Sequence, residues 1–146
     1  MKKLNESDTI FLVDDDRMIA NIYAQHIENL GYKNVKVFEN GQDCINQLIE
    51  EPQIIFLDQH MDFLQGIEVL RKIKRFDPGI YVVFISGQED IETAINSLKY
   101  GAFDYIIKGK NDLERIEEVL LRITNLREQL SKRGTGVFRR ILSLII

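Results

Sequence analysis

Short apolar runs alternate along this chain with longer stretches of helical spacing. Runs rich in β-branched and aromatic residues fall at positions 10–13, 35–38, 54–57, 81–85 and 105–107. Most are continuously apolar, as strands buried on both faces are. Between them, apolar side chains recur three and four residues apart. The first set is Ile19, Ile22, Tyr23, Ile27 and Leu30, stopped at Gly31. The second is Cys44, Ile45, Leu48 and Ile49, ending before Pro52. The third, Ile67, Leu70, Ile73 and Phe76, closes at the turn Asp77-Pro78-Gly79. The fourth, Ile91, Ala94, Ile95 and Leu98, ends at Gly101, and a longer fifth runs from Leu113 through Ile116, Val119, Leu120, Ile123 and Leu126 to Leu130. Five strand–helix units in succession predict a parallel sheet, because parallel neighbours need a crossover. Right-handed crossovers then cover both faces, giving a doubly wound α/β domain.

The length of 146 residues fits one such domain and little else. Residues 1–130 are expected to form it, and 131–146 a basic, apolar tail with no room for an output domain. Gly134-Thr135-Gly136 reads as a flexible break before the tail. The last ten residues hold seven apolar side chains, and on a helix Arg139, Arg140 and Ser143 share one face. Protein contact, including a homodimer through the fifth helix or the tail, is the expected use, ahead of an anionic membrane surface. The net charge of −4 divides unevenly, since the tail carries +4 and residues 1–130 carry −8. Such acidity argues against direct nucleic-acid binding. The lone Cys44 excludes an internal disulfide and reads as a small buried residue. No apolar run suits an export signal or a bilayer span, so a cytoplasmic location is expected. His26, among apolar neighbours on the first helix, reads as structural.

Ligands of open parallel sheets bind beyond the carboxyl ends of the strands. The residues just past each strand therefore carry the chemistry. Asp14, Asp15 and Asp16 come after the first, Asp58 after the third, Ser86 after the fourth and Lys108 after the fifth. Each has an ordinary alternative. Asp15 or Asp16 could cap a helix, Asp58 could serve a turn, Ser86-Gly87 could open the next helix, and Lys108 could point into water. Those alternatives do not explain why carboxylates, a hydroxyl and an ammonium of complementary character lie past four of five strands. A carboxylate can attack a phosphoryl group, provided that charge repulsion is offset. Two carboxylates 4 Å apart repel by about 4 kcal/mol at an effective dielectric near 20. A hard divalent cation such as Mg²⁺ relieves this, and a lysine and a serine can hold phosphoryl oxygens.

The constellation resembles the receiver domain of two-component response regulators over roughly residues 8–130. Four motifs carry the resemblance: Phe11-Leu12-Val13-Asp14-Asp15-Asp16, Ile54-Ile55-Phe56-Leu57-Asp58, Val82-Val83-Phe84-Ile85-Ser86-Gly87 and Gly101-Ala102-Phe103-Asp104-Tyr105-Ile106-Ile107-Lys108. The resemblance implies a flavodoxin-like strand order 2-1-3-4-5 and makes Asp58 the phosphoacceptor. It implies Mg²⁺ held by Asp14, Asp15, Asp58 and the carbonyl of His60. It makes Ser86 and Lys108 the groups that bind the phosphoryl, and Ser86 with Tyr105 the switch that reshapes the face of helix four, strand five and helix five. The implied partners are a histidine kinase or phosphotransfer protein and a downstream protein target, with no external turnover substrate. The alternative is a pseudo-receiver that binds partners without being phosphorylated. A phosphohydrolase is disfavoured, because Asp58-Gln59-His60 lacks a second carboxylate two residues on.

Four positions stand out against the family pattern. Asp62 replaces a common proline and adds negative charge at the pocket mouth. Gly109 replaces the proline after the lysine, which predicts a trans bond or a looser loop. His60 and Gln88 occupy positions that tune phosphoryl lifetime through water access.

Overall fold

The computed structural model describes residues 7–87 and 91–145. Gln88 lies outside the described residues. Five strands, β1 (Thr9–Val13), β2 (Asn34–Phe38), β3 (Ile54–Leu57), β4 (Tyr81–Ser86) and β5 (Asp104–Ile107), form one sheet in the order β2-β1-β3-β4-β5. All four pairings are parallel. The five helices are α1 (Arg17–Asn29), α2 (Gly41–Asn46), α3 (Gly66–Phe76), α4 (Ile91–Lys99) and α5 (Asp112–Ile145). This is the doubly wound, flavodoxin-like arrangement expected.

Strand alternation sends side chains into two cores. Ile10, Leu12, Ile54 and Phe56 pack with Tyr23 and Ile27 of α1 and Ile116, Leu120 and Ile123 of α5. Phe11, Val13, Ile55 and Leu57 pack on the other face with Cys44, Val69, Leu70 and Ile73. Each fully buried Ile, Leu or Phe contributes about 1.5–3 kcal/mol by leaving water. Burial pushes the Cys44 thiol up to about 12, so it is an inert packing group.

Three helices differ from the periodicity. The second stops at Asn46 and passes into a 3-10 turn, Leu48–Glu50, after which Glu51 takes a left-handed φ of 57°. Pro52 disfavours helix at the residue before it, so the chain must leave the helix early to enter β3. In α4 only Ser97 is buried, while Ile91, Ile95 and Leu98 are exposed. This helix packs at the sheet end against β5 and α3, and its large apolar side chains face outward. Finally, α5 continues through Gly134-Thr135-Gly136, where a break was expected. Glycine costs a helix only about 1 kcal/mol relative to alanine, and no proline blocks the ladder there.

Candidate functional site

The register of the sheet brings the predicted residues together. Val13 of β1 is paired with Leu57 of β3, so Asp14 and Asp58 leave adjacent strands at the same level. Ser86, the last residue of β4, is paired with Ile107, which places Lys108 one step beyond. Each charged residue is still held by a backbone bond as it leaves its strand. Asp14 N–H donates to the Phe38 carbonyl, Asp58 N–H to that of Val13 and Lys108 N–H to that of Ser86, at 3.0, 3.0 and 2.9 Å. Their starting points are thus as fixed as the sheet, which is the requirement for a preorganised site.

Lys108 Nζ lies 2.7 Å from Asp14 Oδ2 and 3.3 Å from Asp58 Oδ2. Asp14 and Asp58 are buried, and Asp15 is exposed. Carboxylate oxygens of all three come within 4.8 Å of one another. Burial first, then the charge of Asp14, pushes Asp58 up to about 6, with Lys108 pulling the other way. Partial desolvation and Asp14 also raise Asp15. Burial would lower the Lys108 ammonium, but its hydrogen bond to Asp14 and the charges of Asp58 and Asp14 outweigh this and raise it. Three carboxylates and one ammonium leave a formal charge of −2, the charge that a divalent cation neutralises. The donors are all hard oxygens, as Mg²⁺ requires.

The three consecutive aspartates have separate tasks. Asp16 caps α1, accepting from Met18 and Ile19 N–H at 3.1 and 3.2 Å. Asp14 Oδ1 accepts from Asp16 N–H at 2.9 Å, which turns the carboxylate inward. Asp15 is the exposed member of the cluster. Ser86 is fully buried, and the Tyr105 ring stacks on Phe84 with centroids 6.2 Å apart. His60 N–H approaches Asp58 Oδ1 at 3.4 Å, and its side chain is exposed. Asp62 is exposed and is not a member of the carboxylate cluster. The next residue, Phe63, is fully exposed at φ 67°. His26, structural as expected, donates from Nε2 to the Leu113 carbonyl at 2.8 Å.

Two supports of the site escape sequence reasoning. Gly66 begins α3 against the acceptor loop, where a Cβ would lie 2.7 Å from the Asp58 carbonyl and from Gln59 Oε1. Gln59 Oε1 in turn accepts from Ile67 N–H at 2.9 Å, tying that loop to α3. On the opposite side of the sheet, Asp112 joins Tyr23 to the loop after Lys108. The available signals were a tyrosine in an aliphatic stripe and an aspartate at a helix start, both too common to single out.

A family model described as the response regulator receiver domain matches residues 10–120. The chain belongs to that family. The transcriptional regulatory protein ZraR of Salmonella typhimurium is 34% identical over 112 residues, 76% of this chain and 25% of that protein. A putative NtrX-like response regulator of Rickettsia felis is 36% identical over 106 residues, 70% of this chain and 22% of that protein. The chain thus spans about a quarter of the length of these curated relatives. Among solved structures, a CheY-like receiver domain protein of Methanospirillum hungatei superimposes with a TM-score of 0.74 at 25% identity, covering 84% of this chain and 98% of that one. The BeF3-activated receiver domain of DrrB, from Thermotoga maritima, gives 0.68 at 30% identity, covering 82% and 97%. This receiver domain has its acidic cluster and lysine at the same sheet edge, and no described helix is long and apolar enough to cross a membrane.

Proposed function

We propose that this receiver domain accepts a phosphoryl group on Asp58 from the phosphohistidine of a kinase or phosphotransfer protein. The observation that carries this reading is the buried Asp58 carboxylate, clustered with Asp14 and bridged to it by Lys108 at the topological switch between β1 and β3. Asp14, Asp15, Asp58 and the His60 carbonyl would hold Mg²⁺. Bound there, the ion supplies divalent charge against phosphoryl oxygens that four nearby oxygen ligands would otherwise repel. Asp58 attacks phosphorus as the bond to the donor nitrogen breaks. Lys108 moves its ammonium from the carboxylate pair onto a phosphoryl oxygen, and Ser86 donates its hydroxyl to another. Catalysis is then positioning plus charge neutralisation.

Signalling arises from two states of one surface. Drawing Ser86 toward the phosphoryl group vacates space for Tyr105, which reshapes the α4–β5–α5 face. The exposed Ile91, Ile95 and Leu98 on α4 support a downstream protein target at this face. Met18 and Ile22 are also exposed, in a groove with His26 and Leu113 beside the acidic edge, and support a protein donor there. The exposed Leu130 and Leu144 on α5 support a second copy of the chain as a further partner.

The test is incubation with Mg²⁺ and a small acyl phosphate, then intact mass. One phosphoryl adduct is expected, and it should vanish in Asp58→Asn. No adduct with any donor would leave a pseudo-receiver, and rapid turnover of phosphate esters would make the domain a hydrolase.

A further inference from the structure

Lys108 sits at the start of a short loop, 108–111, that connects β5 to α5. Its own N–H is held by Ser86. On its other side, Gly109 N–H donates to Asp112 Oδ2 at 3.0 Å, and the same oxygen accepts the Tyr23 hydroxyl of α1 at 2.5 Å. Asp112 Oδ1 accepts from Leu113 N–H at 3.1 Å, so this one carboxylate fixes both the loop and the start of α5. Two left-handed residues, Gly109 at φ 80° and Asn111 at φ 53°, fold the loop back onto Asp112. A proline at position 109 could neither adopt that φ nor donate that hydrogen bond. Tyr23 is 4% exposed and lies on the helix that Asp16 caps, so it ties the lysine loop to the element leaving the acidic loop. Its hydroxyl is pushed far up, by burial first and then by Asp112, and stays protonated as the donor.

We infer that Tyr23 and Asp112 are positioning residues that aim Lys108 at the phosphoryl site, taking the place of a rigid proline after the lysine. Lys108 has a long flexible stem, so its reach depends on where the backbone starts it. A misplacement of about 1 Å is enough to weaken a catalytic contact many-fold. Tyr23→Phe removes the hydroxyl and keeps the packed ring, whereas Asp112→Ala removes the bonds to Gly109, Tyr23 and Leu113 together and thus has the larger effect. This inference rests on the phosphoacceptor reading of Asp58.

The experiment measures phosphorylation by a small acyl phosphate with Mg²⁺ in the full chain, in wild type, Tyr23→Phe and Asp112→Ala. Each is repeated in a Lys108→Ala background over long incubations. Tyr23→Phe should slow the wild-type reaction roughly three- to tenfold and leave the Lys108→Ala rate unchanged, because its effect passes through the lysine. The same fold-loss in both backgrounds, or no loss in either, would overturn the inference. A wild-type chain that takes no phosphoryl group fails the Asp58 reading separately. The loop is then read in the metal-free protein by exchange of the Gly109 amide and the Lys108 Nζ resonance. Faster exchange and a shifted Nζ signal in Tyr23→Phe support the positioning role, and unchanged signals overturn it.

Discussion

Neutralising Asp58 should make the metal-free protein more stable at neutral pH, although it removes the proposed phosphoacceptor. Burial and Asp14 lift this carboxyl from an ordinary 3.8 to about 6. The folded state therefore binds the proton more tightly than the unfolded chain. Between about pH 4 and 6 the unfolded chain has lost that proton and the folded one retains it, so stability falls as pH rises through this window. A difference of roughly two pH units at about 1.4 kcal/mol each amounts to about 3 kcal/mol. Above the window Asp58 is ionised in both states and the whole penalty is present. Asp58→Asn should then gain about 2–3 kcal/mol over wild type at pH 7.5 in chelator, and almost nothing at pH 4. Urea unfolding at the two pH values measures both numbers from the midpoint and slope. Adding Mg²⁺ should reverse the order at pH 7.5, because the cation offsets the repulsion that the substitution had already relieved. A variant equal to or weaker than wild type at pH 7.5 without metal would refute the electrostatic account of the pocket.

Three further perturbations probe the scaffold. Gly66→Ala drives a Cβ to 2.8 Å from Gln59 Cα and closer to the Asp58 carbonyl, and should cost about 1–3 kcal/mol in thermal unfolding while slowing phosphorylation. Arg127→Ala strips the buried Asp8 of a partner at 2.6 Å and should cost about 3 kcal/mol; adding Asp8→Asn should recover part of it in the same urea assay. Ile95→Glu with Leu98→Glu on α4 should leave stability within about 0.5 kcal/mol, since both side chains are exposed, but abolish capture of a downstream partner by the phosphorylated chain.

Features encoded locally were the ones legible in the chain alone. Strand and helix periods are local, and buried parallel strands are nearly uniform in hydrophobicity, so the five units and their sequence along the chain could be read. Because side chains at or just past the end of a strand inherit its register, Asp14, Asp58, Ser86 and Lys108 could be placed on one edge from the sequence alone. Asp15 and Asp16 could not be separated in advance. Which of them caps α1 depends on one turn of backbone, and the answer was Asp16. The outward face of α4 was hidden for the opposite reason. Ile91, Ile95 and Leu98 have core-like spacing, and only the position of the helix at the end of the sheet turns that stripe toward solvent.

The lysine loop marks the deeper limit. Glycine in place of a stiffening proline after Lys108 predicts a trans bond or a looser loop, and of these two the bond is trans while the loop is not loose. The structure instead closes the loop with a carboxylate three residues downstream of that glycine and a hydroxyl from a helix 89 residues away in sequence. Neither Tyr23 nor Asp112 is unusual on its own element. Their meaning comes from packing α1 beside α5 on one sheet face, a contact that His26 and Leu113 reinforce. Glycine at position 109 supplies an N–H and access to positive φ that a proline there would lack, and the loop is anchored through both. A departure from a family motif therefore reads as a loss only until the partners of the new backbone groups are located.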